Sequence, residues 1–254
     1  MSAEPQLVVT RRGRVAVLTL NRPEHGNRLT TALARDVADA LTKARNDSAI
    51  GACVLTGAGG VFCLGGDYRG AGPTATGRDD YARALLEMDN AMARLGKPLA
   101  AAVNGDAHAG GFSVVIACDV AIAADDATLG LPEAANGLFP FIALAIVKDA
   151  LPKKVLFDLI YRARLMSASE AHSLHVINEV VPRHAVLDRA IALAEQASSY
   201  RPEVVALGRD LYYRTRGMEA GEALDEARRA LLAALAIREH SGETRPGLSL
   251  RGGV

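Results

Sequence analysis

The 254-residue chain has no excess of charge of either sign: 29 Lys and Arg balance 29 Asp and Glu. With no basic or acidic field, neither a nucleic acid nor a membrane surface is an expected partner, although a few local cations suffice for a phosphorylated small ligand. Nowhere is there a run of about 20 apolar residues of the kind that spans a bilayer. The opening MSAEPQLVVTRRGRV lacks the apolar stretch of a signal peptide. Cysteine is sparse, and Cys53, Cys63 and Cys118 form no CxxC pair and no metal-ligand spacing. They read as reduced thiols, so a cytoplasmic protein without a metal site is expected. Phosphate-loop motifs are missing as well. GxGxxG after the strand ending at Thr56 would need glycine where Phe62 stands, and no GxxxxGK[ST] occurs. Ser113 has no GxSxG context, which removes the nucleophile-elbow serine hydrolases.

What is present suits a soluble globule: half the residues are apolar, enough for a sizeable core. Val15 to Leu20, Ala52 to Thr56, Leu99 to Val103 and Asp119 to Ala124 are short apolar runs that end in loop residues and read as strands. Between them, Thr30 is placed to cap a helix whose apolar face is Leu33, Val37, Leu41 and Ala44. Tyr81, Leu85, Met88, Met92 and Leu95 recur at helical steps before Gly96. From about residue 150 the pattern is helical alone: a capping-box spacing at Ser167 to Glu170, then Ala185 to Ala197, Pro202 to Arg214 and Glu219 to Arg238. The fold class is therefore α/β, with an α/β core over 1–195 and a helical region over 196–254. The Gly-rich tail, 247–254, is expected to fray.

Glycine concentrates where two strands end, in 57-GAGGVFCLGGD-67 and in 103-VNGDAHAGGF-112. A glycine pair that opens a helix exposes unpaired N–H groups at the positive end of its dipole, suited to a developing negative charge. Tight turns between packed elements are the other reading of the same residues.

Three blocks, LNRPEHGNRLT (20–30), VLTGAGGVFCLGGD (54–67) and KPLAAAVNGDAHAGGFSVVIACDVAIAADDATLGLPE (97–133), together with SASEAHSLHVINEVVP (167–182), resemble the enoyl-CoA hydratase/isomerase, or crotonase, family. The resemblance implies a crotonase-like spiral of stacked β-β-α units with a C-terminal helical region that packs on the core or on a neighbouring subunit, and a homotrimer or hexamer. It implies an acyl-CoA substrate, with coenzyme A as part of that substrate and no separate cofactor. Carried over, the thioester enolate would be held by the backbone N–H groups of Gly66 and Gly110, and Glu133 would be the acid/base. Arg22, His25 and Arg69 would meet the CoA moiety, each with a plain solvated side chain as the alternative. Asp67 reads as a structural carboxylate.

The sequence departs from the hydratase pattern at one catalytic position. Hydratases use two Glu separated by 20 positions; here the second is Glu133 and the first is Ser113, which unaided is no general base near neutral pH. One carboxylate beside an enolate is enough to shift a double bond from C3 to C2, so an isomerase that uses Glu133 alone is the alternative to hydration. A non-catalytic acyl-CoA-binding member is a third reading. After Gly137 the residues Leu138-Phe139-Pro140-Phe141-Ile142 are bulky. They would either dry the acyl pocket and raise the Glu133 pKa, or be ordinary helix core. His108, beside Ala109-Gly110, is the remaining candidate acid/base, with a loop histidine without a catalytic role as the other reading.

Overall fold

The computed structural model describes residues 4–240. In chain order they form β1 (Leu7–Arg12), β2 (Val15–Leu20), α1 (Thr31–Asn46), β3 (Ala52–Gly57), α2 (Ala75–Ala93), β4 (Leu99–Val103), β5 (Ala107–His108), α3 (Gly110–Ala117), β6 (Val120–Ala124) and β7 (Thr128–Gly130). There follow α4 (Phe141–Val147), α5 (Lys153–Tyr161), β8 (Leu165–Ser167), α6 (Ala168–Ser173), β9 (Glu179–Val181), α7 (Val186–Ser198), α8 (Pro202–Arg214) and α9 (Ala220–His240). The chain divides into two compact units, the first ending at Ser199 and the second starting at Tyr200.

The main sheet of the first unit runs β1-β2-β3-β4-β6-β9; β1 and β2 are antiparallel and every later neighbour is parallel. Parallel strands covered on both faces are apolar at every position, and β3 and β4 are buried throughout. Val15, Val17, Val54, Ala100, Ala102 and Ile122 face one way, against Val186, Ala190 and Ile191 of α7. The alternate residues, among them Leu18, Leu55, Ala101 and Ala123, enter the larger core with α1, α2 and α3. A second sheet, β5-β7-β8, lies beyond the strand ends, and single parallel bridges Leu29↔Gly66 and Cys63↔Ala107 continue it into earlier turns of the chain. Each turn thus runs through a main-sheet strand, then a pairing in the second layer, then a helix. This is the stacked β-β-α spiral that the family resemblance implies.

Local chemistry fixes the ends. The Thr30 hydroxyl accepts from Leu33 N at 3.0 Å and starts α1, and Ser167 Oγ accepts from Glu170 N at 3.1 Å and starts α6. The region past residue 150 is not helical alone: β8 and β9, three residues each, close the two sheets. Three residues are too few to show an alternating pattern, and β9 is specified by pairing with β6 rather than by its own sequence. In the second unit α8 and α9 lie together, with Arg214 paired to Glu226 at 3.0 Å. The tail 247–254 is outside the described residues. No described helix is long and apolar enough to cross a membrane.

Gly111 marks a tight approach between turns of the spiral: a β-carbon there would lie 2.0 Å from the carbonyl oxygen of Cys63. Backbone on both sides has little room to retreat. Gly111→Ala is expected to lower stability by about 1–3 kcal/mol, whereas Gly208→Ala, exposed on α8 with open space around it, should raise it by up to about 1 kcal/mol. Thermal melts of the two variants against the parent check both signs.

Candidate active site

The second Gly-rich segment is registered against the first by backbone and side-chain bonds. Phe62 N and Cys63 N both donate to the Asp106 carbonyl, at 3.2 and 3.1 Å, and His108 N donates to the Cys63 carbonyl at 2.9 Å. The fully buried Asn27, at φ +51°, donates to the carbonyls of Ala58 (2.9 Å) and Val61 (2.7 Å) and accepts from Arg22 N (2.8 Å). Asn104 likewise ties β4 to the end of β3, donating to Gly57 O at 2.8 Å and accepting from Gly57 N at 3.1 Å.

This lattice brings Gly65 and Gly66 against Gly110. Gly65 has φ +96°, where a side chain is strained, and a β-carbon there would meet Ala109 Cβ at 2.7 Å and Gly110 N at 3.2 Å. Ala109 is itself held at φ 53°, ψ −125° at the start of α3, an uncommon conformation for a residue with a side chain. Leu29 N donates to Gly65 O, and Asp67 N donates to Leu29 O, both at 2.8 Å. The Gly66 amide between them has no acceptor among the described residues, and neither does the Gly110 amide at the first position of α3. Both glycines line one cavity of about 320 Å³. Two unpaired N–H groups on one cavity wall, one at a helix N-terminus, can hold a developing oxyanion.

The rest of that wall is mostly apolar, from Leu29, Leu85, Met88, Met92, Val114 and residues 138–143. Its polar members are Ser113, Glu133, Asp89, Tyr68 and Tyr81. Glu133 stands in the short 3-10 turn 132–136, is 7% exposed, and one of its carboxylate oxygens has no partner. Burial raises its pKa above the ordinary glutamate value, its own backbone amide offsetting the shift in part, and no neighbouring carboxylate contributes. Leu138, Phe139, Pro140 and Phe141 therefore belong to the cavity wall rather than to closed helix core, and Phe141 is 75% exposed. Ser113 is buried and donates its hydroxyl proton to Gly110 O at 2.8 Å, so it can only accept from whatever occupies the cavity.

The residues expected to meet CoA separate into two kinds. Arg22 turns inward, donating to Asp67 Oδ2 at 3.1 Å and to the Arg28 carbonyl at 2.7 Å. It braces its loop, with Asp67 in the structural role read from the sequence. His25 is exposed, 3.6 Å from Glu24, and Arg69 is exposed one residue beyond Tyr68. His108 does not line the cavity. Thr128 has one hydroxyl proton and Asp106 Oδ1 accepts it at 2.7 Å, so His108 Nε2–H is the donor in the 2.8 Å contact with Thr128 Oγ1. Burial lowers the His108 pKa, with Asp106 opposing that shift. Cys63 is buried and its thiol is pushed up to about 11 by burial, too high for a nucleophile at neutral pH. No His, Cys, Asp and Glu cluster suited to a metal occurs among the described residues.

Asp89, Tyr68 and Tyr81 were not singled out in the sequence as cavity polar groups. A partial signal existed: Asp89 lies four residues after Leu85 and three before Met92, on the stripe that faces the cavity.

The sequence profile of the enoyl-CoA hydratase/isomerase family matches residues 10–244, and the chain belongs to that family. It is 35% identical over 207 residues to the enoyl-CoA hydratase EchA19 of Mycobacterium tuberculosis, covering 79% of this chain and 77% of that protein. It is 33% identical over 218 residues to the carnitinyl-CoA dehydratase of Salmonella arizonae, covering 85% and 83%. The crystal structure of an enoyl-CoA hydratase from Mycobacterium smegmatis superposes with a TM-score of 0.87 at 27% identity, covering 96% of this chain and 99% of that one. The family is enzymatic and its members named here act on acyl-CoA thioesters, which fits a small apolar cavity with two free amides and a carboxylate.

Glu133 carries a cost when charged. Its raised pKa means that the folded state binds a proton more tightly than the unfolded chain, so its contribution falls as pH rises through the ordinary value toward the folded one. Glu133→Gln removes that cost. The variant is expected to melt above the parent at neutral pH, with the difference shrinking as pH is lowered to the ordinary glutamate range. Melting curves from acid to neutral pH check this.

Proposed function

We propose that the cavity binds an acyl-CoA thioester with its carbonyl oxygen between the Gly66 and Gly110 amides, and that Glu133 moves protons on the resulting enolate. The observation that carries this reading is the convergence of two unpaired amides and one buried, proton-avid carboxylate on a single apolar cavity. Removal of one such donor typically costs about 3–4 kcal/mol in the transition state. Coenzyme A enters as part of the substrate, its phosphates met by Arg69 and His25 and not by the inward-turned Arg22. No separate cofactor is needed, because every step is a proton transfer.

The reaction that this site supports best is the shift of a double bond from C3 to C2. Ionised Glu133 takes a proton from C2, the charge passes to the thioester oxygen and is held by the two amides, and the same carboxyl returns the proton at C4. Hydration is the second reading, favoured by the hydratase and dehydratase named among the relatives. It must manage with Ser113 where a second carboxylate would hold the water, and the Ser113 proton is already donated to Gly110 O.

Assays with 3-enoyl-CoA and 2-enoyl-CoA separate the two. The parent is expected to isomerise, and Glu133→Gln to lose about 10²–10⁴-fold. Ser113→Ala should leave isomerisation within a few-fold, and Ser113→Glu should add hydration. Because Glu133 works as a base, kcat/KM should fall as pH drops through its raised pKa, on an acid limb lying above the ordinary glutamate range. Isomerisation and hydration both untouched by Glu133→Gln would remove the carboxylate from the mechanism.

A further inference from the structure

Two phenols stand beside Gly66 and have no place in the mechanism above. A β-carbon on Gly66 would lie 2.1 Å from Tyr81 Oη and 3.2 Å from Tyr68 Cζ, so both ring tips converge on the residue whose amide faces the thioester oxygen. The rings meet edge to face, with centroids 5.4 Å apart at 65°. Their hydroxyls differ in access. Tyr81 is 4% exposed, and its oxygen is sealed in without a partner. The nearby Asp67 amide already donates to Leu29 O at 2.8 Å. Tyr68, at the start of the short turn Tyr68–Ala71, lines the cavity and is 56% exposed. Its hydroxyl makes no hydrogen bond to a described residue, so a ligand can reach it without displacing a partner.

The same phenol shares its cavity with Glu133. Burial raises the Tyr68 pKa and the charge of Glu133 raises it further, with Arg28 opposing. A phenol so placed stays protonated through the working range and offers a hydrogen, not a base. Tyr81 packs edge to face against the Tyr68 ring, which limits where the Tyr68 hydroxyl can point.

We infer that Tyr68 is a further catalytic residue of the acyl-CoA reaction, donating its phenolic hydrogen to the thioester oxygen as a third donor beside the Gly66 and Gly110 amides. The inference rests on the acyl-CoA reading above. The phenol keeps its proton throughout; it strengthens one hydrogen bond as charge develops and transfers nothing. Such a donor distinguishes the enolate from the neutral thioester, whereas a packing residue does not.

Calorimetry of the parent and Tyr68→Phe with three ligands tests this. Butyryl-CoA has no enolate at neutral pH, acetoacetyl-CoA gives a stable one, and 3-hydroxybutyryl-CoA adds an oxygen at C3. Tyr68→Phe is expected to weaken acetoacetyl-CoA about tenfold and to raise the pH at which the bound ligand shows enolate absorbance by about one unit. The other two ligands should change by less than about twofold, as neither develops the charge. Equal losses for all three would make Tyr68 a packing residue, and a loss confined to 3-hydroxybutyryl-CoA would move the phenol to the C3 oxygen. No change with any ligand would remove it from the site. Each of these overturns the inference while the acyl-CoA reading stands. Failure of the parent to bind any of the three would overturn that reading itself, and the inference with it.

Discussion

The pairing of Cys63 with Ala107 in the second layer is the contact on which the site depends. It fixes one Gly-rich segment against the other, with the Asp106 carbonyl accepting from two successive amides and the Cys63 carbonyl taking the His108 amide. Once that register is set, Gly65 can reach Ala109 and Gly110 only because it has no side chain of its own, and Gly111 can pass the Cys63 carbonyl for the same reason. The Gly66 and Gly110 amides are then left over. Leu29, Asp67 and Ala109 around them have their amides bonded, and no described residue accepts from either glycine. In the proposed reaction these are two fixed dipoles that need no reorganisation when charge arrives, the property that makes such donors effective in a dry cavity.

Glu133 gains its character from the same architecture. The 132–136 turn sets it under the bulky 138–143 segment, and burial alone, without a second carboxylate, raises its pKa. A carboxylate that resists ionisation is a cost to the fold and, in the proposed reaction, an advantage to proton transfer, since its pKa moves toward the working pH. Ser113 donates its hydroxyl proton within α3 and keeps only acceptor capacity toward the cavity. The proposed enolate chemistry therefore falls to the amide pair, Glu133 and, in the further inference, the Tyr68 phenol.

Much of this was legible in the residues. The apolar runs located β2, β3, β4 and β6, and Thr30 and Ser167 act as the caps that their spacing suggested. The Gly-rich segments pointed to close backbone approach, which the structure has at Gly65 and Gly111, and the family resemblance named Gly66 and Gly110 as candidate donors. Long-range pairing was not legible. β8 and β9 are too short to carry a pattern and exist through their partners. Asn27 looks like a loop residue in sequence, yet it is the buried staple between two loops. Arg22 looked like a cation for phosphate, and only the fold shows Asp67 beside it. Tyr81 was visible as one of an apolar stripe, but its neighbour Tyr68 is brought over Gly66 by a turn that sequence periodicity does not describe.

The central claim, that this cavity stabilises a thioester enolate, is tested most directly by following deuterium entry at C2 of bound butyryl-CoA in heavy water by NMR. That ligand can be neither hydrated nor isomerised, so exchange reports enolate formation alone. Stereospecific exchange at C2 that depends on Glu133 is the predicted result. A complex in which butyryl-CoA is bound and its C2 hydrogens exchange no faster than in free solution would contradict the account.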